Sequence, residues 1–267
     1  MMIGDGTRRR ALLRGGGLIA AGAAAGAVGF TEYDRMSGRR LPLGPSPAAA
    51  TVGVGEQRPG EARLDVVWGA APTRRAIALT FDDGPGPEWT PLVLDTLERL
   101  EVPGTFFMVG RDAERHAALV RGRMERHEVG SHTWAHQDLA RMGADEAYDN
   151  LRRAHDAIVA ATGKEPRLLR PPWGHLGGST LHAAARMRYR LVLWSAQMLE
   201  SAYPDDPAGH ARYVVEQVTP GTILLAHDIG RPERLVGLLG LPQIVGELRD
   251  RGYEFRTVSD LLSEAQA

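Results

Sequence analysis

The chain has 267 residues, 43% hydrophobic and 24% charged, enough to bury a substantial core as one domain of α/β size plus an extension. Its formal net charge of -1 gives no bulk attraction to nucleic acid or to an acidic membrane surface, so neither is an expected partner and recognition must come from a local site. The absence of cysteine excludes disulfides, thiol nucleophiles and cysteine-ligated zinc or iron-sulfur centres, and leaves His, Asp and Glu to hold any metal.

At the N-terminus, Arg8, Arg9, Arg10 and Arg14 form a basic cluster ahead of an Ala- and Gly-rich, weakly apolar stretch ending at Phe30. So much glycine makes a poor structural helix, and the stretch is short for a membrane span. Residues 1–30 therefore read as a twin-arginine-like signal or an N-terminal anchor, and the expected location is exported, either secreted or held at the outer face of the cytoplasmic membrane. No A-x-A site directly follows Phe30, so cleavage and retention are both compatible with the sequence. Residues 31–61, with Pro-Ser-Pro, an Ala triplet and scattered glycines, have no sustained period and read as a linker.

From residue 62 to 267 strand and helix patterns alternate. Apolar runs at 66–68, 76–81, 105–109, 168–169, 191–194, 222–226 and 254–257 read as seven strands. Helical spacing covers 91–100, 117–126, 144–162, 180–188, 208–218 and 235–251, with Thr90 as a candidate cap ahead of Pro91. Such alternation implies a single α/β domain with a mostly parallel sheet, open or closed as a barrel.

Four short segments carry chemistry. Asp82 and Asp83 stand at the end of the Ile77–Phe81 run, before Gly84 and Pro85. Adjacent anions at a strand mouth repel one another unless a cation or an acid/base task separates them. His132 and His136, in Ser-His-Thr-Trp-Ala-His, are spaced so that a helical turn would put both imidazoles on one face at chelating distance. Thr133 stands where a zinc protease has its glutamate, so any base comes from elsewhere. A carboxylate with two imidazoles is a ligand set for zinc, iron, cobalt or nickel that leaves positions open for water and substrate. Arg170, in Leu-Arg-Pro-Pro-Trp-Gly, follows another apolar run and suits a carboxylate that must stay ionised in a buried cleft. His227 ends the run Thr222–Ala226 and would point to the same edge, where an imidazole can protonate a leaving amine or alcohol.

Taken together and in this order, the motifs resemble the polysaccharide deacetylases, the NodB-homology domain of carbohydrate esterase family 4, over roughly 70–262. The resemblance implies a distorted (β/α) barrel and metal-dependent hydrolysis of N- or O-acetyl groups on a polysaccharide such as peptidoglycan, chitooligosaccharide or xylan. By motif, Asp82 matches the general base, Asp83, His132 and His136 the metal triad, Arg170 the brace of the base, and His227 the general acid. Leu225 matches a wall of the acetyl pocket, and Trp173 offers a backbone N-H to the oxyanion. The implied cofactor is a divalent metal, zinc with cobalt or nickel as alternatives, and the implied state is a monomer. One motif departs from the family pattern Asp-x-x-Asp-Trp: after Trp194 the chain reads Gln197, Met198, Leu199, Glu200, Ser201. Gln197 cannot carry the first charge and Ser201 removes an aromatic, while Glu200 either takes over the second carboxylate or faces solvent. Two other classes share parts of this pattern. A sugar-binding barrel without turnover would fit the altered motif, and a non-haem iron oxygenase would use the same ligand types.

Overall fold

Strand β2, Ala76–Asp82, is buried along its whole length and lies near the middle of the sheet in the computed structural model, which describes residues 64–265. The signal or anchor expected over 1–30 and the linker expected over 31–61 lie outside the described residues. β2 pairs with β3 (Thr105–Met108) along one edge and with β8 (Ile223–His227) along the other, while β9 (Glu254–Arg256) pairs with its first three residues. The remaining strands are β1 (Val66–Val67), β4 (Glu128–Ser131), β5 (Leu168–Leu169), β6 (Arg190–Val192) and β7 (Ala196–Gln197). Their order is β1-β6-β5-β4-β3-β2-β8-β7, with every strand pairing parallel.

That order closes the sheet. β6 lies near one end and β7 at the other, yet only Leu193, Trp194 and Ser195 separate them in the chain. The four Cα steps from Val192 to Ala196 span roughly 14 Å at most, so the two ends must meet. A bridge between Gly69 and Thr222 joins them again. With three strands of only two residues, the result is a distorted (β/α) barrel.

Alternation along β2 sorts side chains between two layers. Ile77, Leu79 and Phe81 point outward into a core shared with helices α1 (Thr90–Leu100), α6 (Pro207–Gln217) and α7 (Leu235–Asp250). Ala76 and Ala78 point inward, against Phe107, Val192 and Ile223, and Thr80 and Asp82 continue that face. Helix α8 (Val258–Glu264) plugs the inner layer with Val258, Leu261 and Leu262. The other helices are α2 (Gly110–Arg115), α3 (Ala117–Val120), α4 (Ala144–Thr162) and α5 (Gly178–Arg186).

Several sequence expectations are corrected. Beyond the seven anticipated strands, the described residues include β4 and β7, whose Glu-Val-Gly-Ser and Ala-Gln sequences carry almost no apolar pattern. The helix expected over 117–126 stops at Val120, and Gly122 adopts φ 73°. Thr90 does not cap α1: it lies inside the helix, accepts from the Gly86 N-H and donates to Asp228.

Gly110 shows how closely the helices pack on this barrel. A Cβ added there would lie 2.6 Å from the Ala154 Cα on α4, a contact with backbone that cannot swing aside. Gly110→Ala should lower the unfolding free energy by about 1–3 kcal/mol, the usual scale for overpacking. Urea unfolding followed by circular dichroism measures it, and an unchanged midpoint would mean that α2 and α4 separate freely.

Candidate active site

Arg170 follows β5 directly and is fully buried, its guanidinium filling space that the small side chains Ala78 and Thr80 leave inside the barrel. Nη1 donates to Asp82 Oδ1 at 2.7 Å and to Thr80 Oγ1 at 2.7 Å, Nε donates to the Val192 carbonyl, and Nη2 donates to that of Leu193. The Phe107 ring lies beneath the guanidinium carbon at 4.1 Å. Burial pulls the Arg170 pKa down and Asp82 pulls it back up, but a guanidinium stays charged throughout the physiological range. Asp82 is thus a buried carboxylate with a bidentate-capable cation on one oxygen, and its Oδ2 faces His132 Nε2 at 3.9 Å.

Asp83, His132 and His136 converge on one point, each offering one ligand atom within 4.8 Å of the others. His132 donates from Nδ1 to the Arg170 carbonyl at 2.6 Å, which leaves the Nε2 lone pair facing Asp83 Oδ1 at 3.4 Å. His136 Nε2 lies 3.2 Å from the same oxygen. A carboxylate with two Nε2 atoms in this cluster fits a hard-to-borderline divalent cation such as zinc. Burial would raise the Asp83 pKa, yet the two imidazoles outweigh it and hold the carboxyl far below its usual range. For His132, burial opposes the charged form, while Asp82, Asp83 and the Arg170 carbonyl raise its pKa overall. The two histidines do not lie on a helix as their spacing suggests. They flank a turn in which Thr133 and His136 adopt φ 70° and 54°, and this left-handed backbone brings the ring centroids within 5.0 Å.

His227 ends β8 directly opposite Asp82 in the parallel register. Its Nδ1 is buried and hydrogen-bonds to nothing among the described residues, and the nearest anion is Glu200 Oε1 at 3.5 Å. Glu200 is 7% exposed. Burial pushes its pKa up, but His227 and the more distant Arg234 bring it below the ordinary value. So the altered motif supplies one carboxylate to the imidazole, from the position directly before the slot where Ser201 replaces the usual aromatic. Gln197 is exposed on β7. Leu225 lies on β8 at 6% exposure, and Trp173 projects at 58% exposure with its ring edge-on to His136 at 4.6 Å. Trp173 also adopts φ 56°, inside the turn that follows Arg170.

The sequence profile of the polysaccharide deacetylase family matches residues 69–192. The peptidoglycan-N-acetylglucosamine deacetylase of Bacillus cereus is 36% identical over 206 residues, 74% of this chain and 92% of that protein. The chain belongs to the polysaccharide deacetylase family. The peptidoglycan-N-acetylmuramic acid deacetylase PdaA of Bacillus subtilis is 32% identical over 197 residues, 72% of this chain and 73% of its own length. Among solved structures, a peptidoglycan N-acetylglucosamine deacetylase in complex with 4-naphthalen-1-yl-N-oxidanyl-benzamide superposes with a TM-score of 0.69 at 27% identity, covering 74% of this chain and 92% of that one.

One buried group of this deacetylase went unread in the sequence. Asp228, next to His227, accepts from the Gly84 N-H at 3.0 Å and from the Thr90 hydroxyl at 2.6 Å, so it ties the turn after Asp83 to α1 and to the end of β8. The signal was the His-Asp pair at a buried strand end. Burial and the nearby Asp83 push the Asp228 pKa up to about 7 against the hydrogen bonds that lower it. A carboxyl held protonated in the fold but ionised in the unfolded chain stabilises most at low pH, and that contribution is lost as pH rises through about 7. In metal-free deacetylase, Asp228→Asn should therefore flatten the fall in melting temperature between pH 5 and 8. Parallel wild-type and variant curves would remove Asp228 as its source.

Proposed function

We propose that the chain is an exported, metal-dependent hydrolase that removes acetyl groups from an acetylated cell-wall polysaccharide. The observation that carries this reading is the convergence of one metal-type trio with a braced carboxylate on one side and an imidazole-carboxylate pair on the other. Asp83, His132 and His136 would hold a divalent cation, zinc by the character of the set, which when bound polarises the acetyl carbonyl and lowers the pKa of water. Asp82 then takes the proton of the attacking water, and its bond to Arg170 holds it in position in the buried cleft. His227 gives a proton to the departing sugar amine, with Glu200 stabilising the imidazolium. The backbone N-H of Trp173 is placed by motif to receive the developing oxyanion, and Leu225 to line the acetyl pocket. A cavity of about 420 Å³ lined by Pro85, Gly86, Trp89, Arg111, Ile229 and Gly230 adjoins the Asp83 turn, and the exposed Trp173 ring offers a sugar a flat apolar face. Relatives named for peptidoglycan substrates favour that polymer, which lies outside the cytoplasmic membrane. The paired arginines near the N-terminus agree with that location. No helix of the described residues is long and apolar enough to cross a membrane.

A sugar-binding barrel without turnover has less support, because the Asp83, His132 and His136 cluster, the Asp82–Arg170 pair and the His227–Glu200 pair favour a hydrolytic reading. Acetate release separates it, and an oxygenase, from the hydrolase. The purified chain should liberate acetate from peptidoglycan, and more slowly from chitooligosaccharide or acetylated xylan, with activity abolished by chelator and restored by zinc or cobalt. His132→Ala should lose its metal and at least about 100-fold in turnover while its circular dichroism spectrum is kept. Full activity in a metal-free preparation would overturn the mechanism.

Glu200 gives a separate handle on the acid. Glu200→Gln removes the carboxylate that faces the imidazole, so turnover of one N-acetyl substrate should fall about tenfold with bound metal unchanged. Unchanged turnover would free His227 of any dependence on Glu200.

A further inference from the structure

Arg234 ends a short 3-10 turn, Pro232–Arg234, after β8, and its side chain folds back into the cleft until Nη1 lies 3.4 Å from Asp83 Oδ2. Gly230 makes room for it, since a Cβ there would meet the Arg234 Cδ and Nη1 at 3.0 Å. The side chain is 34% exposed, and of its five N-H donors this is the one bonded to a side chain among the described residues. Hydrolysis of an uncharged acetamide makes no use of it, because Arg170 braces the base and Glu200 faces the acid. Yet the cleft gathers three carboxylates, Asp82, Asp83 and Glu200, which would repel an anionic sugar unless a cation stood at the rim.

We propose that Arg234 is a specificity-determining residue that binds a carboxylate carried by the sugar beside the reacting acetamide, so that the preferred unit is the 3-O-lactyl-substituted N-acetylhexosamine of peptidoglycan. The acetamide stands on C2 and the lactyl ether on the neighbouring C3, so a cation beside the metal-type trio would be within reach of that carboxylate. The planar guanidinium fork suits a carboxylate in two-point contact, and its exposure leaves the outer donors open to a ligand. This inference rests on the deacetylase reading and narrows its substrate.

The test uses the full chain and peptide-free glycan strands, either with free lactyl carboxylates or with those carboxylates amidated by methylamine. Wild type should prefer the free carboxylate. Arg234→Gln should raise KM for that strand roughly tenfold, the scale of one charge-assisted hydrogen bond, and bring the ratio of kcat/KM between the two strands close to one. Equal losses on both strands, or a fall in bound metal, would assign Arg234 to holding Asp83 and overturn the proposal. Calorimetric binding of the free-carboxylate strand to Asp82→Asn protein, with and without Arg234→Gln, reads recognition independently of turnover. Tenfold weaker binding with no acetate release in any variant would uphold the recognition and remove the hydrolase reading, whereas equal binding would overturn the recognition itself.

Discussion

The ion pair between Arg170 and Asp82 is the interaction on which the rest of this barrel depends. Both groups are buried, and each would be costly alone: breaking such a pair by deleting one partner typically costs about 3–5 kcal/mol. Four oxygen acceptors meet the guanidinium, one from each of Thr80, Asp82, Val192 and Leu193, so the charge is solvated by strands from opposite parts of the sheet. The carbonyl of the same arginine fixes the tautomer of His132. A single residue thus spans the inner wall, holds a carboxylate in place and aims an imidazole.

Around that pair the backbone takes unusual conformations at the residues that would handle substrate. Asp83, Thr133, His136, Trp173 and Leu199 all have positive φ without being glycine, a conformation costing of order 1 kcal/mol or more for each. They sit in four different loops, and each loop is pinned by buried hydrogen bonds or by the strand it follows. The Asp83 turn is held by Asp228 and Thr90. The His132–His136 turn is held by the bond from the Gln137 N-H to Thr133 Oγ1 and by Trp134 N-H donating to Asn150. Rigid loops on a parallel barrel let side chains far apart in sequence converge without relying on a flexible closure.

Much of this was legible in the chain itself. Asp82, Asp83, Arg170 and His227 each follow an apolar run, and a parallel strand delivers such residues to one edge. Helices with strong three-to-four spacing, such as α4, were read to their ends. What could not be read is physically specific. β4 carries one apolar side chain in four residues because Gly130 must admit the Phe107 ring, so pattern gave way to packing. The histidine turn mimics helical spacing, although left-handed residues and not a helix bring the rings together. Glu200 could be named as a substitute carboxylate, but its direction depends on Leu199 in a left-handed conformation and on the packing of Gly237 against it. Asp228 and Arg234 act through contacts about 140 and 150 residues away, which no local pattern encodes.

The way the barrel closes also sets when the protein can become active during synthesis. Asp82, Asp83, His132, His136 and Arg170 have all been translated by the end of α5, yet β2 then lacks β8 and β9, the neighbours that bury one whole edge and the start of the other. Pairings across 145 to 178 residues must wait for nearly the complete chain, and such distant contacts slow folding. A growing polypeptide therefore carries Asp82, Asp83, His132, His136 and Arg170 long before the barrel can bring them together, and the last strands to emerge decide when that happens.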